Sequence, residues 1–291
     1  MAPMTTTFLA KLNEAVERNG SLVCVGLDPD PTLMPLINGR GAADLRAEDV
    51  IEFNRKIIDA TADLVCCFKP NVAFFEAFGA IGHEILRGTL AGIPVDVPVI
   101  ADAKRGDIGN SSAAYARAIF EELNCDAMTV NAYGGKDAIE PFLEYTDKGV
   151  IVWARSSNPS AIDFQDLEVD YLGEQMPLWQ TVAIKAREWN KNGNVGIVMG
   201  ATYTDQLRTA REMCPEMPIL VPGIGSQEGN LRDAVLAGVD SQKNGIIVNA
   251  SRSILYASRD KDYAMAARSA AAQLRENINR YREERPAFAE A

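Results

Sequence analysis

The segment VPVIADAKRGDIGNSSAAYA, residues 97–116, runs from an apolar stretch into a cluster of charges and then into small residues that favour a helix. This order is typical of a strand, a turn and a helix in a parallel sheet. Short apolar runs recur along the chain, and each precedes a longer amphipathic segment. The predicted strands are residues 22–28, 64–70, 98–104, 127–132, 150–155, 195–200, 219–222 and 245–249, and the predicted helices include 50–62, 112–123, 178–192, 204–213 and 229–237.

Eight such units in about 250 residues, without a linker-like break, predict one α/β domain built as a (β/α)8 TIM barrel. The domain is expected to span residues 1–291, with a core of about residues 20–283. An open doubly wound sheet is the alternative architecture. Three regions exceed the barrel plan: a helix at 6–18, expected to cover the bottom of the barrel, and long loops at 29–49 and 158–177 after strands one and five. Loops after strands lie on the face where barrel active sites are built.

Composition narrows the function classes. The 291 residues carry a formal net charge of −11, which argues against general affinity for nucleic acid or anionic membranes. The five cysteines form no C-x-x-C pair and are expected to be buried, reduced thiols, as suits a reducing cytosol. The N-terminal region shows no signal-peptide pattern, and no apolar stretch is long enough to span a bilayer. We therefore expect a soluble, cytoplasmic protein.

Charged residues stand at the ends of three neighbouring predicted strands. Asp102 and Lys104 are two residues apart and so share a face of strand three, while strand one ends in Asp28 and strand two in Lys69. These residues could be solvated caps and ordinary ion pairs. As a set they indicate a functional site, because charges gathered at a barrel mouth are costly to bury unless they are paired or used. Asp107 lies beyond strand three, in the turn.

The last two strands carry a different pattern. VPGIGSQEGN, residues 221–230, puts Gly223 and Gly225 just before a helix, where backbone N–H groups can face an anion. Arg252 follows strand eight, and the loops after strands seven and eight are a frequent phosphate site in this barrel. Glu228 occupies the third glycine's place, so a dinucleotide fingerprint is unsupported. The alternative is a tight turn and a surface arginine.

With these residues in view, the chain resembles the orotidine 5′-phosphate decarboxylase family. DAKRGDIGNSSAAYA resembles its D-x-K-x-x-D-I motif. The similar segments follow in the order of its longer bacterial branch, type 2: VGLDPD, FKPNVAFFEAFG, TVNAYGG, SSNPSAIDFQ, GIVMGAT, VPGIGSQEG and NASRSI. The resemblance covers residues 23–254 and implies a homodimeric (β/α)8 barrel, a carboxy-lyase that needs neither metal nor organic cofactor. Its reaction converts orotidine 5′-phosphate to UMP and CO2, the last step of de novo pyrimidine synthesis.

The resemblance also implies catalytic roles. Asp102 and Lys104 resemble the central catalytic pair, with Lys104 stabilising a carbanion at C6 and then protonating it. Asp28 and Lys69 resemble the residues that hold the ribose hydroxyls and buttress the charge network. Asp107 resembles the aspartate that reaches into the partner subunit's site.

Substrate contacts are implied in the same way. Ser157 resembles the serine that binds the pyrimidine ring, Gln227 the glutamine that links base and phosphate, and Arg252 the phosphate arginine. Gly225 and Ile108 complete the predicted substrate-binding set. Phosphate binding is expected to drive closure of the loop after strand five.

Two positions depart from the pattern that the resemblance implies. Glu228 and Ser160 both stand where glycine is expected. Neither Arg105 nor the loop at residues 29–49 has a predicted role.

Two other functions remain open. One is a related sugar-phosphate barrel, such as a ketogulonate-phosphate decarboxylase or a hexulose-phosphate synthase, which uses Mg2+ and has an acidic residue in the place of Lys69. The ammonium of Lys69 would repel a divalent cation. The other is a catalytically silent barrel that binds nucleotide phosphates or acts as a scaffold.

Overall fold

The computed structural model describes residues 6–224 and 228–284, and for residues 228–230 the main chain alone. The strands in this part of the chain are β1 (Val23–Leu27), β2 (Cys67–Pro70), β3 (Ile100–Arg105), β4 (Ala127–Val130), β5 (Gly149–Arg155), β6 (Glu168–Tyr171), β7 (Glu174–Pro177), β8 (Val195–Met199), β9 (Ile219–Val221) and β10 (Ile246–Ala250). Eight of them form one parallel sheet in the order β2-β1-β10-β9-β8-β5-β4-β3. Parallel bridges from Phe68 to Val99 and from Asn71 to Asp102 join β2 to β3 and close the ring. The predicted (β/α)8 barrel is confirmed, and the open sheet is excluded.

Helices surround the barrel. They are α1 (Phe8–Asn19), α2 (Ala47–Thr61), α3 (Val72–Glu76), α4 (Gly82–Leu90), α5 (Gly109–Ala116), α6 (Lys136–Leu143), α7 (Leu178–Trp189), α8 (Thr204–Met213), α9 (Glu228–Gly238), α10 (Arg252–Leu255) and α11 (Tyr263–Glu283). Among the helices whose bounds the sequence predicted, α8 has the observed bounds, and α1, α2, α5, α7 and α9 have shifted ends. Helix α5 continues as a π-helical turn over Arg117–Glu122. No helix in the described residues is long and apolar enough to cross a membrane.

The barrel strands bury both faces. Outward residues such as Val23 and Val25 pack beneath helical side chains such as Phe53 of α2. Inward residues such as Cys24 and Ile151 form a separate apolar layer inside the barrel. All five cysteines are buried and free, as the apolar runs predicted.

The extra N-terminal helix covers the bottom of the barrel, as expected. Phe8 and Leu12 of α1 pack into the inner apolar layer. A Cβ on Gly149, the first residue of β5, would lie 2.3 Å from the Phe8 ring, so glycine is required there. The helix begins at Phe8 because the Thr7 hydroxyl accepts a hydrogen bond from the Ala10 N–H at 3.3 Å and acts as its N-cap.

The two predicted long loops are present. The loop after β1 is fastened where α2 begins, because Arg40 Nε donates to the buried carboxylate of Asp49 at 2.6 Å. The loop after β5 contains a 3-10 turn, Pro159–Asp163, and the antiparallel hairpin β6–β7, which the sequence reading missed. The hairpin turns at Leu172 and Gly173, whose φ angles of 55° and 90° suit a two-residue turn.

Candidate active site

Four side chains from β2, β3 and β4 meet at the carboxyl-terminal mouth of the barrel. Asp102 lies between two lysines, with Lys69 Nζ 2.8 Å from one carboxylate oxygen and Lys104 Nζ 2.5 Å from the other. The Thr129 hydroxyl donates to the same oxygen as Lys104, at 2.9 Å. Three of these residues were predicted from their positions at strand ends.

Thr129 was missed by the sequence analysis. Its hydroxyl also accepts a hydrogen bond from the Lys104 backbone N–H at 3.0 Å, so it joins two consecutive inward residues of β3. Lys104 has φ of 46°, a left-handed conformation uncommon outside glycine, and the register between β3 and β4 shifts beside it. Strand alternation from Ala127 puts Thr129 on the inward face, which is the signal that could have identified it.

The opposite charges of Lys69 and Asp102 favour the ionised form of each. Burial alone would lower the pKa of Lys69, but the carboxylates of Asp102 and Asp28 raise it above its ordinary value. Burial alone would raise the pKa of Asp102, but Lys69 and Lys104 lower it well below its usual range. The lysines differ in access, because the side chain of Lys69 is 3% exposed and that of Lys104 is 37% exposed. Lys104 is therefore the cation that a ligand can reach.

Asp28 follows β1 and adds an unsatisfied acceptor to the mouth. Its Oδ1 is buried and has no hydrogen-bond partner among the described residues. Its backbone carbonyl accepts the Tyr256 hydroxyl at 2.9 Å, and that hydroxyl accepts the Asp30 N–H at 2.6 Å. Tyr256, which the sequence did not single out, thus holds the chain on both sides of Pro29.

Trp153 is a second inward residue that the sequence analysis did not identify as part of the site. The centre of its ring lies 6.0 Å from Lys104 Nζ, at the outer range of a cation–π contact. The same side chain lines a cavity of about 440 Å³ with Phe164 and Trp179. One aromatic ring, that of Trp153, therefore stands beside the accessible lysine.

The turn after β3 points its residues toward solvent. Asp107 is exposed, its carboxylate accepts the Ile108 N–H at 2.7 Å, and Ile108 is 68% exposed. In residues 6–224 and 228–284, no hydrogen bond or ion pair joins Asp107 to Lys104. The chain by itself therefore does not bring Asp107 into the cluster. Arg105 pairs instead with Glu76 of α3, at 2.5 Å.

The predicted phosphate side is described in part. Arg252 is exposed at the start of α10, and within the described chain it has no ion-pair partner. Gly225 and Gln227 lie outside the described residues. Glu228 is the first residue of α9. Ser160 lies in the exposed 3-10 turn after β5.

Ser157 sits where three loops meet. A Cβ on Gly200 would lie 2.6 Å from the Ser157 backbone nitrogen, and one on Gly223 would lie 3.2 Å from the Ser157 hydroxyl oxygen. The loops that follow β8 and β9 therefore enclose Ser157 closely. The structure thus puts Ser157 beside the loops that follow β8 and β9.

Arg155, at the end of β5, is a buried charge that the sequence analysis did not identify. Its guanidinium donates to both carboxylate oxygens of Asp166, from Nε at 2.9 Å and from Nη2 at 2.7 Å. It also lies 3.9 Å from the ring centre of Tyr203. Asp166 belongs to the loop after β5, so this pair fastens the loop to the barrel wall.

A metal centre has no support in the described part of the chain. No group of three or more His, Cys, Asp or Glu side chains there is arranged to hold a metal ion.

Comparison with known proteins agrees with the barrel and its motifs. The model of the Orotidine 5′-phosphate decarboxylase / HUMPS family matches residues 21–267. An orotidine 5′-phosphate decarboxylase of Dehalococcoides mccartyi is 49% identical over 275 residues, covering 94% of this chain and 98% of that protein. One from Thermomicrobium roseum is 48% identical over 279 residues, covering 96% and 97%.

Solved structures give the same result. The OMP decarboxylase of Leishmania donovani superposes with a TM-score of 0.82 at 37% identity, covering 96% of this chain and 99% of that one. A putative orotidine-monophosphate-decarboxylase from Toxoplasma gondii superposes with a TM-score of 0.84 at 37% identity, covering 96% and 97%.

Proposed function

Because this chain belongs to the orotidine 5′-phosphate decarboxylase / HUMPS family and is an orotidine 5′-phosphate decarboxylase, we propose that it works without a cofactor, through a carbanion at C6 that Lys104 stabilises and protonates. The formation of its product, UMP, is the last step of de novo pyrimidine synthesis. The observation that carries the proposal is Asp102 held between a buried and an accessible lysine. The accessible one, Lys104, is held by Asp102 and is open to a ligand.

The chemistry of the substrate explains why a cation is needed. When the bond from C6 to the carboxylate breaks, CO2 leaves and the electron pair stays in an sp2 orbital that the ring delocalises poorly. The ammonium of Lys104 stabilises that pair and gives it a proton. The neutral amine then regains a proton from water. The carboxylate of Asp102 stands beside the leaving carboxylate and raises the energy of the ground state.

One ion pair does not supply the whole rate enhancement. Two charges 4 Å apart at an effective dielectric of 20 interact by about 4 kcal/mol, whereas enzymes lower barriers by roughly 8–23 kcal/mol. We assign much of the remainder to the phosphate end of the substrate. Arg252 is exposed and unpaired in the described chain, so it is free to bind a dianion together with Gln227 and Gly225. That remote binding energy favours closure of the loop after β5.

The remaining contacts follow from the unsatisfied groups at the mouth. The buried Oδ1 of Asp28 is an acceptor without a partner in the described chain, and a ribose hydroxyl is a suitable donor for it. Ser157 offers a hydroxyl to the polar edge of the pyrimidine.

We further propose a homodimer in which Asp107 and Ile108 of each subunit complete the partner's site. Both residues are exposed on the turn next to Lys104. Inactive Lys104→Ala and Asp107→Ala proteins should regain activity when mixed, because each hybrid dimer contains one intact site. Random exchange gives about a quarter of the wild-type activity. No recovery after verified subunit exchange would contradict a shared site.

The proposal includes the cellular setting. Five buried free thiols in a single barrel domain suit a reducing cytosol, where pyrimidine synthesis would take place.

The direct test follows the ultraviolet absorbance of orotidine 5′-phosphate with purified protein in the presence of EDTA. Turnover that EDTA leaves unchanged supports chemistry without a metal. Turnover that requires added Mg2+ would favour the metal-dependent sugar-phosphate barrels. Absence of turnover by a folded wild-type protein would favour a silent binding barrel.

A further inference from the structure

The loop after β5 leaves the barrel and returns to it at one ion pair. Arg155 is 1% exposed, and Asp166, eleven residues further along, occupies two of its nitrogens. The third nitrogen, Nη1, donates to the carbonyl oxygen of Ser156 at 3.1 Å. A buried guanidinium is tolerated only when its donors are satisfied, so this pair is a fixed element of the fold.

Ser156 is held at three points. Its N–H donates to Gln165 Oε1 at 2.8 Å, and its carbonyl accepts from Arg155. Its hydroxyl accepts the Asn158 N–H at 2.8 Å. These bonds fix the peptide from which Ser157 projects, and two of them depend on residues 165 and 166.

Ser157 has little room to adapt if that peptide moves. The loops carrying Gly200 and Gly223 lie so close to it that a Cβ on either residue would clash or press against it. A small rotation of the Ser156 peptide would therefore turn the hydroxyl of Ser157 away from its present direction.

The return arm of the loop is itself anchored. Gln165 accepts the Trp179 N–H at 2.9 Å through its carbonyl, and Leu167 accepts the Leu178 N–H at 2.8 Å. The hairpin is tied to the same helix, because the Tyr171 hydroxyl bonds Glu188 at 3.0 Å. Residues 165–177 are thus hydrogen-bonded to α7, and the 3-10 turn at residues 159–163 lies outside these contacts.

We infer that Arg155 and Asp166 are positioning residues that orient the Ser157 hydroxyl toward the pyrimidine ring. They act through the Ser156 peptide and do not touch the substrate. The inference rests on the proposed function, because it takes Ser157 as the residue that binds the base.

The experiment is a double-mutant cycle. Asp166→Asn removes the charge while keeping the side-chain shape, and it should lower kcat/KM for orotidine 5′-phosphate about tenfold, since a charge-assisted hydrogen bond contributes on the order of one decade. In the Ser157→Ala background, the same substitution should cause less than a twofold further loss, because the hydroxyl that it orients is gone. An equal loss in both backgrounds would overturn the inference, as would no loss in either.

Two further variants protect the test against a folding defect. Gln165→Ala removes the contact to the Ser156 N–H without breaking the ion pair, and it should show the same dependence on Ser157. Asp63→Asn is the matched control, because Asp63 pairs with both terminal nitrogens of Arg268, at 2.6 and 2.7 Å, on another part of the surface. It should leave kcat/KM unchanged in both backgrounds.

The outcomes separate the inference from the proposed function. A wild-type protein that does not decarboxylate orotidine 5′-phosphate contradicts the proposed function. If the wild type is active and Ser157→Ala is as active, the role of Ser157 is wrong and the inference falls with it. If Ser157→Ala lowers kcat/KM and Asp166→Asn lowers it by the same factor in that background as in the wild type, the inference alone is wrong.

Discussion

Two groups of charged residues share the mouth of the barrel and differ in how they are satisfied. Lys69, Asp102 and Lys104 are paired within the chain at 2.5–2.8 Å. Arg252 and Asp107 are exposed and have no ion-pair partner within residues 6–224 and 228–284. The first group is complete before any ligand arrives. The second group is unpaired in the described chain, and we propose a phosphate as the partner of Arg252 and another subunit as the partner of Asp107.

The difference follows from the cost of burial. A buried ion requires a partner in the folded chain, since leaving one charge uncompensated costs several kcal/mol. An exposed ion stays hydrated, so it can remain without an ion-pair partner at little cost in stability. On the proposed mechanism, the residues assigned to the breaking bond are therefore preorganised, whereas Arg252, assigned to the phosphate, is not.

Removing the accessible lysine should have the largest effect. Lys104→Ala deletes about 4 kcal/mol of charge stabilisation and the proton donor, so kcat should fall by about 10^5-fold or more. The fold should persist, because Lys69 and Thr129 still satisfy Asp102. Single-turnover absorbance measures the loss, and Lys56→Ala, on an outer helix, is the control. A kcat of Lys104→Ala within tenfold of the wild-type value would contradict the role proposed for Lys104.

Breaking the centre of the paired group should destabilise the protein. Asp102→Asn leaves Lys69 buried beside a neutral amide, so the free energy of unfolding at pH 7 should fall by about 3–5 kcal/mol. The lowered pKa of Asp102 means that its contribution is present above about pH 4 and is lost as the pH falls below that value. The raised pKa of Lys69 adds a loss above about pH 10.

Urea unfolding of both proteins between pH 7 and pH 3 tests this prediction. The difference between wild type and Asp102→Asn should shrink as the pH falls below about 4. A difference that stays constant with pH would show that the carboxylate charge is not the source of the stability.

Removing the unpaired arginine should affect binding and leave stability unchanged. Arg252→Ala should lower kcat/KM by roughly 10- to 100-fold, the size expected for about 1.5–3 kcal/mol of charged hydrogen bonding. With orotidine, which has no phosphate, the variant and the wild type should be equally slow. Arg259→Ala, another exposed arginine in the same segment, is the control. Equal losses in the two variants would contradict a specific phosphate contact.

Arg105 combines the two properties compared above, because it has an ion-pair partner and is also partly exposed. Its pair with Glu76 is exposed to solvent. Arg105→Ala should change the free energy of unfolding by less than about 1 kcal/mol and leave kcat/KM within twofold. Thermal unfolding and the absorbance assay check both values, and a large loss of activity would give Arg105 a role that its contacts do not suggest.

Sequence patterns predicted what depends on local order. The apolar runs gave the strands, and alternation put Asp102 and Lys104 on one face. The hairpin β6–β7 was not predicted because its strands, EVDY and EQMP, have only four residues each, lie in an acidic loop and contain no fully buried residue. Arg155 escaped because its partner, Asp166, comes from a part of that loop with no regular pattern.

Other residues could not be placed because their surroundings are assembled from distant segments. In the sequence Thr129 resembles any other strand residue, and its role depends on its hydrogen bonds to Asp102 and Lys104 of β3. Tyr256 contacts Asp28 across 228 residues of chain. The role proposed for Asp107 requires a second chain, so one folded subunit cannot test it.

Helix α1 determines from which end substrate enters the barrel and products leave it. Because Phe8 and Leu12 close the amino-terminal end of the barrel against its apolar inner layer, the barrel is open only at its carboxyl-terminal end. Substrate, CO2 and UMP must therefore all pass through that end. If the loop after β5 closes over the substrate as proposed, CO2 can escape past it but a nucleotide held by its phosphate cannot. On that proposal the loop must reopen before UMP leaves, and slow reopening would limit turnover even when the chemistry is fast.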